Sequence, residues 1–259
     1  MRVTYGTHPD QVADVVLPES GAAPAPMVIL LHGGFWRSVY DRHHLAGVAQ
    51  ALADAGYCVV NAEYRRVGDG GGWPGTFHDV ALAVDSLPGL VAATFPGRAD
   101  AEAVVLLGHS AGGHLALWAA VRGQLADQAP GTAPTTSWVA ALPGVTGVVA
   151  LAPVCDLGSA HRLNSGNGAV AALLGGTPDE VPERFAQADP AALGRPPVPT
   201  VVVHGEDDVL LPVEVARTWC SATGTPLVEV PGAGHFELID PGSAAWPQVL
   251  DALAAVLSR

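Results

Sequence analysis

The chain of 259 residues is 49% hydrophobic and only 14% charged, which fits one α/β domain whose sheet is buried on both faces. Its formal net charge of −13 disfavours nucleic acid and anionic membrane surfaces as partners. No apolar stretch reaches the roughly 18 residues of a membrane span, and the first residues lack the apolar core of a secretion signal, so we expect a cytoplasmic protein.

The first half of the chain alternates predicted strands with predicted helices. An antiparallel edge strand is expected at residues 12–17, and the first central strand at 27–31. Helices are predicted at about 41–55 and 77–87, with a strand at 57–61 between them. This alternation predicts a mostly parallel sheet with helices on both faces.

A glycine-rich motif follows the first central strand. It reads His32-Gly33-Gly34-Phe35-Trp36. Acyl transfer creates an oxyanion, and backbone N–H groups at an early strand–loop junction can stabilise it. Gly33, Gly34 and Phe35 are candidates for these donors, because glycines let the backbone approach a substrate closely. The alternative interpretation of this motif is a plain turn.

A second motif lies between a predicted strand at 103–107 and a predicted helix at 111–121. It reads Gly108-His109-Ser110-Ala111-Gly112. A serine on a sharp strand-to-helix turn is held in an exposed, strained position, which is typical of a nucleophile. The helix that begins there directs N–H groups at charge beside Ser110, so the Ala111 amide is a further oxyanion donor. A simple Gly/Ser turn is the alternative.

Two segments interrupt the regular alternation in the second half of the chain. Residues 123–145 are predicted to be a long surface loop, and a strand follows at 147–151. Residues 153–195 contain short helix signals and are predicted to form a small cap within a single domain that spans 1–259. A last helix is predicted at about 244–257.

Two late strands, predicted at 200–203 and 226–230, end in residues that could complete a catalytic triad. The first runs into His204-Gly205-Glu206-Asp207-Asp208, and the second runs into Pro231-Gly232-Ala233-Gly234-His235-Phe236. A nucleophile elbow requires an acid and then a histidine later in the chain, in that order. His235 is the candidate base, and the three neighbouring carboxylates are all candidate acids.

Together these motifs resemble the α/β-hydrolase superfamily. The H-G-G-x-W form is similar to the kynurenine formamidase (arylformamidase) branch and its esterase relatives, whereas hormone-sensitive-lipase-type esterases carry a third glycine where this chain has Phe35. The resemblance implies the α/β-hydrolase fold with a cap. It also implies a triad of Ser110, Asp208 and His235, since family spacing favours Asp208 over Asp207.

Aromatic and polar residues beside the motifs are predicted to shape a substrate pocket. They are Trp36, Tyr64, Trp73, His109 and Phe236. Aromatic side chains also fill protein cores, so a core position is the alternative for each aromatic.

The expected reaction is hydrolysis of a small carboxylic ester or an aryl formamide through an acyl-enzyme. The alternatives are a peptidase or a carbohydrate esterase of the same fold, and a hydrolase-fold binding protein without turnover. No organic cofactor is expected. No metal is expected either, because the three cysteines and the His43-His44 pair lack suitable ligand spacing.

Overall fold

A single twisted sheet organises the residues that the computed structural model describes, which are 1–19, 24–127 and 144–258. Its eight strands, numbered β1 to β8 in chain order, are Arg2–Thr4, Val12–Val16, Ala25–Leu31, Cys58–Ala62, Ala99–His109, Val145–Leu151, Thr200–Gly205 and Leu227–Val230. Their spatial order is β1-β2-β4-β3-β5-β6-β7-β8. The pairs β1–β2 and β2–β4 are antiparallel, and every other pair is parallel.

Helices connect the parallel strands. Those of the described ranges, α1 to α9, are Ala46–Asp54, Gly75–Thr94, Ala111–Val121, Leu157–Arg162, Ala169–Leu174, Pro182–Ala188, Pro190–Leu193, Val213–Thr223 and Trp246–Leu257. Short 3-10 segments cover Arg42–Leu45, Arg122–Asp127 and Glu237–Ile239. Within the described ranges, no helix combines the length and the apolar character needed to cross a lipid bilayer.

The strands at the centre of the sheet are apolar throughout because both of their faces are covered. Side chains alternate between faces, so Met27 and Ile29 of β3 enter one core cluster and Val28 enters the other. Helices α2, α3 and α8 pack on the first face, and α1 and α9 pack on the second. The predicted sheet with helices on both faces is confirmed, and its carboxyl ends present the sequence motifs at one edge.

Three predicted elements differ from the structure. Strand β2 is not the edge of the sheet, because β1 pairs outside it. Helix α2 does not end at residue 87 but continues through Pro88 to Thr94, and burial of Leu87 and Val91 accounts for the continuation. Strand β5 is also longer than predicted and begins at Ala99.

Of the two irregular segments, the first is only partly described and the second is described in full. The predicted loop at 123–145 begins in the 3-10 segment that ends at Asp127, and its last residue starts β6; residues 128–143 lie outside the described residues. The predicted cap at 153–195 contains the four short helices α4 to α7. Helix α7 packs against α3, at the side of the sheet. A role as a lid stays a prediction.

Candidate active site

Ser110 lies on a sharp turn between β5 and α3. Its backbone φ is 56°, in the left-handed region that L residues rarely adopt. Glycine is required on both sides, because a Cβ at Gly108 would collide with the Gly112 carbonyl and a Cβ at Gly112 would collide with the Leu31 carbonyl. Strain of this kind is concentrated at functional sites. Ser110 is buried, at 4% exposed, rather than in the exposed position that the sequence motif predicts.

A cavity of about 320 Å³ opens beside this serine. Its lining residues are Gly34, Phe35, Tyr40, His44, His109, Ser110, Leu210, His235, Phe236 and Ile239. Three segments therefore share one cavity. They are the glycine-rich motif at 32–36, the elbow at 108–112 that carries Ser110, and the histidine loop at 231–236 that carries His235. A wider groove of about 440 Å³, lined by Arg195 and Thr225 among others, contains none of the motif residues.

The imidazole of His235 is held by a buried carboxylate. Its Nδ1 donates to Asp208 Oδ2 at 2.6 Å, and Asp208 Oδ1 accepts from the amides of Leu210 and Leu211, each at 2.9 Å. The Ser110 hydroxyl faces the same cavity but is not hydrogen-bonded to His235 or to another described residue. Hydrogen bonds between a nucleophile and its base often tighten only when substrate binds.

The structure places Asp208, rather than its acidic neighbours, beside the histidine. Glu206 and Asp207 are exposed, whereas Asp208 is buried. Burial acts to raise the pKa of Asp208, but hydrogen bonds from His204, His235 and the Leu211 amide outweigh it and hold that pKa well below its usual range. The carboxylate is therefore ionised when it accepts the His235 N–H. His204, whose Nε2 lies 3.3 Å from Asp208 Oδ2, was not among the site residues predicted from the sequence.

His109, the residue before the nucleophile, links two loops of the site. Its Nε2 donates to the His235 carbonyl oxygen at 2.9 Å, and the two rings lie 4.7 Å apart. Burial, followed by repulsion from His235, lowers the pKa of His109 to about 3, so this ring is uncharged at neutral pH. His109 thus positions the histidine loop against the elbow.

The glycine-rich motif supplies an unusual backbone turn at the cavity. Gly34, Phe35 and Trp36 all have positive φ, at 109°, 55° and 56°. Gly34 and Phe35 line the cavity, and a Cβ at Gly33 would lie 3.2 Å from Ser110 Cβ. Ala111 is the first residue of α3, so its amide has no acceptor within the helix. Gly34 and Phe35 thus share a cavity with Ser110, Gly33 lies close to it, and Ala111 follows it in the chain.

Three of the five predicted pocket residues do not line this cavity, which corrects the prediction for Trp36, Tyr64 and Trp73. Trp36 is 1% exposed and packs edge-on to His114. Tyr64 is also 1% exposed, and its hydroxyl donates to the His32 carbonyl at 2.7 Å. Trp73 is half-buried against the core and lines a different concavity. These rings fill the space beneath the loops, where apolar area is removed from water.

The other two predicted pocket residues, His109 and Phe236, do line the cavity. Four lining residues were missed by the sequence analysis: Tyr40, His44, Leu210 and Ile239. Leu210 had a usable sequence signal, because two apolar residues, Val209 and Leu210, directly follow the candidate acid Asp208. Both are exposed in the structure.

The segment 153–195 braces the site from outside. None of its residues is among those that line the cavity. Instead, the ring of Phe35 packs directly on Gly166, and the Arg37 guanidinium donates to the carbonyls of Gly166 at 2.6 Å and Asn167 at 2.8 Å. This contact supports the turn that carries Gly34 and Phe35. Among the described residues, no cluster of three or more His, Cys, Asp or Glu side chains could hold a metal ion.

Comparison with known proteins gives relatives over most of the chain. The model of the BD-FAE family matches residues 13–221, a stretch that includes Ser110 and Asp208. Esterase LipC of Mycobacterium tuberculosis is 30% identical over 258 residues, which cover 92% of this chain and 60% of LipC. Kynurenine formamidase of Danio rerio is 31% identical over 116 residues, which cover 45% of this chain and 36% of that enzyme. The chain spans no more than about 60% of the length of these curated relatives.

Solved structures share the architecture over the whole chain. A truncated carbohydrate esterase from gut microbiota superposes with a TM-score of 0.80 at 21% identity, covering 100% of this chain and 95% of that one. Esterase B from Lactobacillus Rhamnosis (HN001) also reaches a TM-score of 0.80, at 20% identity, and the match covers 99% of this chain and 85% of that one. At these identities the likeness shows the fold alone.

Proposed function

The chain belongs to the BD-FAE family and has the α/β-hydrolase fold, and on this premise we propose that it is a serine hydrolase acting on small carboxylic esters or aryl formamides. The observation that carries the proposal is the buried hydrogen bond from His235 to Asp208, beside a strained Ser110 in the same cavity. A nucleophile, a base and an orienting acid in one place are the parts that acyl transfer needs.

The first half of the proposed reaction forms an acyl-enzyme. His235 takes the proton from the Ser110 hydroxyl as the oxygen attacks the substrate carbonyl. Asp208 holds the imidazole in the tautomer that leaves Nε2 free, and it stabilises the imidazolium that forms. The protonated His235 then gives its proton to the departing alcohol or amine, and the substrate acyl group stays on Ser110.

The oxyanion of each tetrahedral intermediate is stabilised by backbone amides. Those of Gly34, Phe35 and Ala111 are the proposed donors, and Gly33 is a further candidate beside the serine. Each such donor typically contributes about 10²- to 10³-fold in rate. Water activated by His235 then releases the acid product and regenerates Ser110.

Ester hydrolysis has broader support than formamide hydrolysis. The relative named as an esterase aligns with 92% of this chain, whereas the kynurenine formamidase aligns with 45%. Formamide cleavage stays the second candidate, because the same triad and the same amides serve both reactions. The proposed partner is therefore a small-molecule substrate.

Turnover of p-nitrophenyl acetate and labelling by a fluorophosphonate test the proposal. We expect Ser110→Ala to keep its circular dichroism spectrum, to lose labelling and to lose at least about 10³-fold in kcat. Ser86→Ala, on α2 away from the cavity, is the matched control and should behave like the parent chain. Full labelling or full turnover by Ser110→Ala would overturn the proposal, and a parent chain that is not labelled would favour a binding protein.

A further inference from the structure

The cavity beside Ser110 has walls made mainly of apolar side chains. They come from Phe35, Tyr40, Leu210, Phe236 and Ile239. Phe236 is 61% exposed, Tyr40 46% and Leu210 40%, although all three border a concave surface. Large apolar side chains that stay open to water at the mouth of a pocket form a surface that a ligand can cover.

Two histidines on these walls, His109 and His44, are uncharged at neutral pH. His109 donates its Nε2–H to the His235 carbonyl, and burial keeps the ring neutral by lowering its pKa to about 3. His44 donates its Nδ1–H to the Asp41 carbonyl at 2.6 Å. Burial and repulsion from His32 lower the pKa of His44 as well, which favours the neutral ring. The third histidine on the walls, His235, is the proposed base.

A charged substituent in such a cavity would lose its hydration against apolar walls. That loss is not compensated unless an opposite charge or several hydrogen bonds replace the water. The net charge of −13 adds a long-range penalty for anions. An uncharged aryl or alkyl group, by contrast, gains from covering Phe236 and Leu210.

From these walls we infer that the enzyme selects uncharged substrates with an aryl or alkyl body and discriminates against substrates that carry a carboxylate or an ammonium group. The inference rests on the proposed hydrolase function and names the substrate class of the same site. It separates this chain from an enzyme built for N-formylkynurenine, whose amino-acid end carries both charges. The neutral core of that molecule, N-formyl-2-aminoacetophenone, keeps the same reacting bond and ring ketone.

Two matched substrate pairs test the inference. The first is N-formyl-2-aminoacetophenone against N-formylkynurenine, and the second is phenyl acetate against 4-acetoxybenzoate. Each rate is divided by the hydroxide-catalysed rate, which removes differences in intrinsic reactivity. For each pair whose neutral member is hydrolysed, we expect kcat/KM to be at least about 30-fold lower for the charged member than for the neutral one. The ratio should persist at about 0.5 M NaCl, because salt screens the net charge but not desolvation inside the cavity.

Arginine substitutions at two adjacent residues test whether an added positive charge restores turnover of an anionic substrate. Leu210→Arg places a cation on the cavity wall, whereas Val209→Arg adds the same charge at a residue that is 90% exposed and does not line the cavity. We expect Leu210→Arg to raise the ratio of 4-acetoxybenzoate to phenyl acetate turnover by about tenfold. Val209→Arg should change that ratio by less than about threefold.

Each outcome separates the two proposals. Equal normalised rates within the pairs, or equal shifts by the two arginine variants, would overturn the selection of uncharged substrates and leave the hydrolase function standing. A parent chain that hydrolyses neither neutral substrate and shows no labelling of Ser110 would overturn both.

Discussion

His32 Nε2 lies 2.7 Å from Glu63 Oε1, with both side chains at most 2% exposed. The other ring nitrogen of His32 lies 2.8 Å from the Gly33 carbonyl oxygen. Both partners can accept hydrogen bonds, so the ring is held at both of its nitrogens. The two residues follow Leu31 and Ala62, which are register partners in β3 and β4. A buried hydrogen-bonded pair therefore holds the start of the turn that carries the proposed oxyanion amides.

Replacing Glu63 by glutamine tests this positioning role. The Glu63→Gln variant removes the buried carboxylate that His32, Arg42 and Arg66 share as a partner. We expect the free energy of unfolding to fall by about 3 kcal/mol. We also expect kcat for p-nitrophenyl acetate to fall by about 10- to 100-fold with KM changed little, because the amides act on the transition state.

Urea unfolding and steady-state kinetics measure both effects of Glu63→Gln. Glu229→Gln is the control, since Glu229 pairs with Arg217 on the exposed surface and should affect neither quantity. An unchanged kcat in a destabilised Glu63→Gln variant would limit the pair to a structural role.

The two neighbouring aspartates are expected to differ sharply in function. Asp208→Asn removes the acceptor that fixes the tautomer of His235, and kcat should fall by about 10⁴-fold, the size of effect seen for this change in a serine protease triad. Asp207→Asn changes an exposed side chain and should leave kcat within about twofold. Steady-state kinetics at neutral pH compares them. A similar loss in both variants would show that the triad acid is misassigned.

Replacing Gly33 by alanine should lower catalytic activity more than it lowers the stability of the fold. The added Cβ would lie 3.0 Å from the His109 carbonyl oxygen and 3.2 Å from Ser110 Cβ, so both neighbours must shift. We expect Gly33→Ala to lose about 10- to 100-fold in kcat/KM, because small displacements of reacting groups are costly. Gly89→Ala, which meets nothing within 4 Å on α2, should gain about 0.5–1 kcal/mol of stability and keep full activity. Thermal melts measure the stability of both variants, and steady-state kinetics measure their activity. A fully active Gly33→Ala variant would contradict the close packing of Gly33 against Ser110 and His109.

The contribution of Asp189 to the free energy of unfolding should decline as the pH rises from about 4 to about 6. This buried carboxyl accepts from the amides of Leu157, Ala191 and Gly158, but burial raises its pKa to about 6. In the unfolded chain its pKa is about 3.9, so over this range the folded state binds more protons than the unfolded state, and stability falls as pH rises.

Asp189→Asn removes that titration. Relative to the parent chain, the variant should gain about 2 kcal/mol in unfolding free energy on going from about pH 4.5 to pH 7. Urea unfolding at the two pH values measures the difference. Parallel pH profiles of the parent and the variant would contradict the assignment.

Local sequence patterns predicted the alternation of strands and helices, and they placed the motifs directly after strands. Apolar runs followed by glycine-rich turns are short-range signals, so Ser110, Asp208 and His235 could be identified as candidates without coordinates. The pocket could not be predicted in the same way. Trp36 belongs to the glycine-rich motif and Tyr64 follows a predicted strand, but position along the chain does not tell which side of a turn a ring will occupy.

Long-range pairing explains the other omissions. His32 and Glu63 are 31 residues apart and meet only because β3 and β4 are neighbours. Strand β1 has three residues, too few for an alternating pattern to stand out. Pro88 carries a strong local signal to end a helix, yet the buried residues on either side of it keep α2 intact.

The hydrogen bond from His109 to the His235 carbonyl joins positions 126 residues apart at the surface end of the sheet. This hydrogen bond can break while the strands stay folded, because local opening of loops costs much less free energy than unfolding of a buried sheet. Hydrolysis should therefore disappear at a lower urea concentration than the far-ultraviolet circular dichroism signal. Catalytic rate would then serve as an early gauge of damage in stressed or stored samples, ahead of any spectroscopic sign.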